Sequence, residues 1–312
     1  MKLKKSLIGA GIGIAALLLS ACGANSNPLG NSSAAPSGSG SSAAAGAEIV
    51  VGSADFTESK ILAEIYSQAL KAKGLQSSTK LGIGSREVYI KALQDNSISA
   101  VPEYTGNMLL YFDANATATT ADEVEKAIPT ALPSGLKVLK SSPAVDQDVY
   151  VVTKDYSAKN GITSLEDLSK IASGAILGGP PELEKRSYGP PGLEKVYGAK
   201  FKEFKPYAKY PPKISDLDAN KIQVASFFTT DSIIGEKGYV ELKDPQSLIL
   251  PQNVIPLVRA DVADNATAKS ALEAVQGALT TDDLITLDKK VDVDHQDPDQ
   301  VAGEWLKGKG LA

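Results

Sequence analysis

From position 48 onward the chain alternates short apolar runs with stretches in which apolar residues recur at helical spacing. Glu48-Ile49-Val50-Val51-Gly52-Ser53 reads as a buried strand, and Ile61, Leu62, Ile65, Ala69 and Leu70 follow three and four residues apart, the period of one helix face. Strand, loop and helix therefore open the body. Ser85 stands where an N-cap would start a helix through Leu93, a strand is predicted near Ile98 to Val101, and Thr105 is placed to cap the next helix. A second set of strands is predicted at Val149 to Thr153, Ala175 to Gly178 and Gln223 to Phe228, with helical stretches Ser164 to Ile171 and Leu193 to Tyr197 between them. Asn253 to Arg259 is a further strand, followed by helices at Ala266 to Leu279 and Gln300 to Leu306. This is an α/β pattern, in which helices cover both faces of mostly parallel sheets.

The last helices need a sheet to cover. If they return to the first one, the chain crosses between two lobes twice, near Val149 to Val151 and near Pro251 to Asn253. The first lobe is then 48–149 plus 253–312, and the second is 150–252. Two adjacent crossings form a hinge that lets lobes close over a ligand.

The first 47 residues have a different pattern. Lys2, Lys4 and Lys5 precede an apolar run from Leu7 to Leu19, which is shorter than the roughly 20 residues of a membrane span and reads as an export signal over 1–21. Leu19-Ser20-Ala21-Cys22 resembles the bacterial lipobox, so Cys22, the only cysteine, is expected to carry lipid. From 23 to 47 the chain is almost wholly Gly, Ala, Ser, Asn and Pro, a composition that cannot bury a core. Residues 22–47 are thus expected to be a lipidated flexible tether with a reach of roughly 27 Å. The formal charge of −5, without a cluster of basic residues, leaves no footprint for nucleic acid.

Catalytic signatures are thin. There is one histidine, His295, in the acidic stretch Asp292 to Asp299, and that stretch lacks the glycine and terminal glutamate of a calcium loop. No nucleophile elbow or zinc spacing occurs. The expectation is a binding protein without catalytic residues, metal or cofactor. Three loops at strand ends are the candidate site, because open α/β sheets bind ligands at the carboxyl ends of their strands. They are Asp55-Phe56-Thr57-Glu58, Gly82-Ile83-Gly84-Ser85-Arg86 leading to Tyr89, and Pro102-Glu103-Tyr104-Thr105-Gly106-Asn107.

Asp55-Phe56-Thr57-Glu58, Glu103-Tyr104-Thr105-Gly106 and Thr229-Thr230-Asp231 resemble the glycine betaine/choline/carnitine-binding family, and the likeness runs from about Glu48 to Leu311. The resemblance implies a two-lobed periplasmic-binding-protein fold with two crossings, of type II. It also implies capture of a small osmoprotectant outside the cell by a monomer, and partners in a membrane permease with its ATPase subunits. Tyr188, in Lys185 to Gly192, falls in a segment resembling the family's second-lobe ligand loop, and its polar, proline-bounded setting argues against burial in a core. Phe56, Tyr89, Tyr104, Tyr188 and Phe228 are the expected aromatic enclosure, with Thr57, Arg86, Glu103 and Thr229 as polar contacts.

Many relatives carry aspartate and tyrosine where Ser99 and Val101 stand, and a lysine where Ala54 stands. A lost aromatic wall at roughly 1 to 2 kcal/mol is about tenfold in affinity. A neutral or aromatic ligand is therefore the alternative, and an exported two-lobed enzyme using Glu103 with Arg86 is the remaining one.

Overall fold

The computed structural model describes residues 47–312. The expected export signal, Cys22 and most of the tether lie outside the described residues.

The chain first builds β1 (Ile49–Gly52), α1 (Thr57–Ala72), β2 (Ser77–Lys80), α2 (Arg86–Gln94), β3 (Ala100–Tyr104), α3 (Thr105–Phe112), α4 (Ala121–Ala131) and β4 (Leu136–Val138). It then crosses to β5 (Asp148–Val152), α5 (Lys154–Asn160), β6 (Ile176–Gly179), α6 (Pro190–Tyr197), β7 (Glu203–Pro206), α7 (Tyr210–Asp218), β8 (Val224–Phe228), α8 (Ser232–Lys237) and β9 (Val240–Glu241). It returns as β10 (Val254–Arg259), α9 (Ala260–Asp264), α10 (Ala266–Ala278), α11 (Thr281–Asp292) and α12 (Pro298–Gly308).

Two five-stranded sheets result, ordered β2-β1-β3-β10-β4 and β7-β6-β8-β5-β9. They share one plan. In each, the strand that enters directly after a crossing, β10 or β5, lies fourth and runs antiparallel to both neighbours, while the other inner pairs are parallel. This is the α/β two-lobed architecture.

Helices cover both faces of both sheets. Ile61, Leu62, Ile65, Tyr66 and Leu70 of α1 are almost fully buried against α10, α11 and α12, at about 1.5–3 kcal/mol for each large side chain. On the opposite face, α2, α3 and α4 enclose Leu93, Met108, Leu109, Val124 and Ile128. Ala54 and Val101 belong to that same core, and the Ser99 hydroxyl accepts from the Val50 N–H (3.2 Å). The second sheet is packed by Leu165, Leu168 and Leu193 on one face and by Tyr207, Leu217, Phe227 and Tyr239 on the other.

The passages between sheets are 139–147 and 242–253, so Val149 to Val151 lie just beyond the first passage, inside β5. The two passages run side by side. Val145 and Asn253 form an antiparallel bridge, and the Asp146 N–H donates to the Gln252 carbonyl (3.1 Å).

Several caps differ from expectation. The Ser85 residue does occupy the N-cap of α2, but its hydroxyl donates to Glu87 (2.7 Å). Thr105 is the first helical residue rather than a cap; its hydroxyl donates to the Pro251 carbonyl and accepts from the Asn253 N–H, each at 3.0 Å. The N-cap residue of α1 is Phe56, so Thr57 begins the helix. The stretch near Ser164 forms a 3-10 turn over Leu165–Lys170.

Gly106 is where α3 touches the second passage. A Cβ placed there would lie 2.6 Å from Leu250 Cβ and 2.6 Å from the Pro251 carbonyl oxygen, distances that neither partner can relieve by rotating a side chain. Gly106→Ala should therefore destabilise the fold by about 1–3 kcal/mol. A urea midpoint within error of the unsubstituted protein's would show that the passage can move aside.

Candidate functional site

The three predicted loops meet at the carboxyl ends of β1, β2 and β3, facing the second lobe. Phe56 places its ring between two others, with centroids 6.1 Å from Tyr104 in the first lobe and 5.4 Å from Phe228 in the second. Tyr89 and Tyr104 are buried. Tyr188 is also buried, with 6% exposure, which corrects the inference from its polar, proline-bounded segment. The turn into α6 carries its backbone onto the second-lobe core, where its carbonyl accepts from the Tyr150 hydroxyl (2.7 Å). Its own hydroxyl nevertheless lies beside Arg86, across from the first lobe.

Arg86 and Glu103 form a bidentate ion pair inside the protein. Arg86 Nε and Nη2 donate to Glu103 Oε1 (2.7 Å) and Oε2 (2.8 Å), with exposures of 9% and 0%. The Tyr89 hydroxyl (2.7 Å) and the Tyr104 N–H (2.9 Å) complete the carboxylate's shell. Burial alone would depress the guanidinium; the Glu103 charge outweighs it and holds Arg86 well above its ordinary value. An arginine held in this way is not a proton donor, and its carboxylate partner is saturated. The pair therefore offers no general base.

Thr57 and Thr229 bond elsewhere. The Thr57 hydroxyl donates to Asp292 (2.6 Å) within the first lobe. Thr229 accepts from the Gln147 N–H (2.9 Å), tying β8 to the first passage. His295 is exposed.

Sequence reasoning missed an acidic group behind Tyr104. Its hydroxyl donates to Glu58 (2.5 Å), and the Glu58 carboxyl lies beside Asp288 of α11. Asp146 of the first passage accepts from the Thr230 N–H (3.4 Å). Burial, and then repulsion within the group, push Glu58, Asp146 and Asp288 well above the usual carboxylate range. Tyr104 is raised by burial and by Glu58. Only the Phe-Thr-Glu element signalled Glu58; Asp146 and Asp288 lie 88 and 230 positions further along the chain.

The lobes also touch through polar pairs that no motif marked. Asn107 Nδ2 donates to Asp148 (2.5 Å), whose carboxyl burial raises to about 6. Arg186 pairs with Glu87 (2.7 Å). Within the second lobe, Lys213, whose amine burial lowers to about 8, donates to the Ser226 carbonyl (2.6 Å) and lies 3.9 Å and 4.1 Å from the Phe227 and Tyr210 ring centres. Tyr197, Tyr207 and Tyr210 pack on the second lobe.

Comparison with known proteins finds relatives over most of the chain. A glycine betaine-binding protein of Escherichia coli K12, YehZ, is 26% identical over 280 residues, covering 85% of this chain and 92% of that protein. A glycine-betaine-binding protein of Pseudomonas aeruginosa is 24% identical over 284 residues, covering 82% and 86%. A crystal structure described as a glycine betaine/carnitine/choline ABC transporter superposes with a TM-score of 0.67 at 19% identity, covering 84% and 99%; it shares the two-lobed fold. Residues 47–308 match the family model described as the substrate binding domain of ABC-type glycine betaine transport systems. That match takes in both sheets, both passages and every loop of the aromatic cleft, so this chain belongs to the family of ABC-type glycine betaine substrate-binding domains, a family of binding proteins rather than of enzymes.

Proposed function

We propose that the protein captures a quaternary-amine osmoprotectant between its lobes and delivers it to an ABC permease. The observation that carries this reading is the Phe56 ring, flanked by Tyr104 of one lobe and Phe228 of the other with the Glu58 carboxyl bonded behind Tyr104. A methylated ammonium cannot donate a hydrogen bond and is attracted instead to aromatic faces. Phe56, Tyr104 and Phe228 would separate to admit it, with Tyr89 and Tyr188 as further walls. Thr57, Arg86, Glu103 and Thr229 would shape the surrounding polar shell. Closure would turn about the paired passages, between the lobe built on the first sheet and the lobe built on the second. We also place the chain as a monomer outside the cytoplasmic membrane, held by lipid on Cys22. Among the described residues, no helix is long and apolar enough to cross a membrane, and Cys22→Ser should free the protein from the membrane fraction.

Calorimetric titration of residues 47–312 with glycine betaine, choline and carnitine tests the reading. At least one should bind saturably, and Phe56→Ala should weaken that binding by roughly 1–3 kcal/mol, the scale of an aromatic anchor. Absence of binding by all three would overturn it.

A further inference from the structure

The charges around the cleft distinguish between two kinds of quaternary amine: zwitterions, which carry a carboxylate, and simple cations, which do not. A zwitterion's carboxylate is held most strongly by a cationic side chain whose hydrogen bonds are free. Three buried or nearly buried cations stand near the cleft, and each is largely engaged, with only the Arg186 Nε left buried without a partner. Arg86 presents Nε and Nη2 to both oxygens of Glu103, the fork geometry by which arginine recognises a carboxylate. Arg186 does the same to Glu87, through Nη1 at 2.7 Å and Nη2 at 3.1 Å. Lys213 is held inside the second lobe by the Ser226 carbonyl and two ring faces.

Carboxyl groups outnumber these cations, and burial holds Glu58, Asp146 and Asp288 toward the neutral form. Asp148 has only the Asn107 amide as a side-chain partner, and Glu58, Asp146 and Asp288 have no lysine or arginine bonded to them among the described residues. One oxygen each of Glu58 and Asp288 is buried without a partner. A ligand carboxylate entering here would find the Arg86 fork already filled and would face Asp148, whereas a ligand bearing only positive charge needs no such fork.

We propose that the cleft selects a quaternary ammonium cation without a carboxylate, an amino alcohol of the choline type, over zwitterions such as glycine betaine and carnitine, because Glu103 already fills the guanidinium fork of Arg86. This inference rests on the quaternary-amine reading above and narrows it. Glu103 and Asp148 are the specificity determinants it assigns. Glu103 occupies the fork that a ligand carboxylate would need, and Asp148 adds negative charge opposite it.

The test is calorimetric titration of residues 47–312 with choline and with glycine betaine, at one pH and ionic strength. Choline should bind at least tenfold more tightly. Glu103→Gln, which leaves Arg86 free to take a ligand carboxylate, should lower the choline-to-betaine preference at least tenfold, chiefly by tightening betaine. Asp148→Asn, which keeps the Asn107 bond, should lower it severalfold and provides the check if Glu103→Gln does not fold. Betaine binding as tightly as choline to the unsubstituted protein would overturn the inference and leave the quaternary-amine reading standing. So would an unchanged preference in a folded variant. If neither ligand nor carnitine binds, both readings fall together.

Discussion

Arg86→Met is expected to cost the fold about 3–5 kcal/mol, the scale for removing one partner of a buried ion pair. Methionine fills much of the arginine stem's volume, so the loss would come chiefly from charge. Glu103 is fully buried and would keep only the Tyr89 hydroxyl and the Tyr104 N–H, too little to replace water around a carboxylate. Combining Arg86→Met with Glu103→Leu should recover a large part of the loss, because the stranded charge disappears with its partner. Urea denaturation of both variants measures this. A single-variant loss below about 1 kcal/mol would mean that water reaches Glu103 or that the carboxyl becomes protonated cheaply.

Asp148→Asn should do the opposite at neutral pH and stabilise the protein. Burial is the main cause that raises the Asp148 carboxyl from 3.8 to about 6, while the Asn107 bond and the charges of Arg86 and Arg186 partly offset it. The folded state therefore holds this proton more tightly than the unfolded state does. Its favourable contribution is fully present below about pH 4 and is lost as pH rises through 6. Above that, ionising the group costs roughly 3 kcal/mol, at 1.36 kcal/mol for each pH unit of difference. Asparagine keeps an oxygen for Asn107 and carries no charge, so stability at pH 7.5 should rise by about 1–3 kcal/mol. The decline between pH 4 and 6 should also become shallower, though not vanish, since Asp231 is likewise raised to about 6, chiefly by burial. Denaturation midpoints across pH 4–8 read both effects. An unchanged slope with no gain at pH 7.5 would show that Asp148 is better solvated than its position indicates.

Much of the fold was readable from the chain because its strands are short apolar runs and its long helices keep a clear period. β5, β6, β8 and β10 lie within a residue of where the pattern puts them. β2 escaped because Ser77-Ser78-Thr79-Lys80 is polar; it is an edge strand held by its parallel pairing to β1. β7 and β9 are edges too. The candidate site was partly visible for a similar reason. Arg86, Tyr89, Glu103 and Tyr104 stand on loops and first turns close together in the chain, and they do converge. Tyr188 was misjudged because polarity along a segment says nothing of which side chain the following turn folds inward. Asp146, Asp148 and Asp288 carry no local signal at all. Their character comes from burial beside groups brought in by the passages and by α11, and a linear pattern holds no distance of that kind.

The place of β10 has a consequence for how the molecule is assembled. The second sheet is drawn from one continuous stretch, 148–241, whereas the first lacks its fourth strand until residues 254–259 are available. A chain emerging from its amino end can complete the later lobe while the earlier one still has an open seam between β3 and β4. Until the carboxyl-terminal strand inserts there, two edges with unpaired backbone groups face each other, the kind of surface that captures strands from other chains. A protein cut short before Val254 would retain that seam permanently and should self-associate, whereas one cut within α12 would already have closed it.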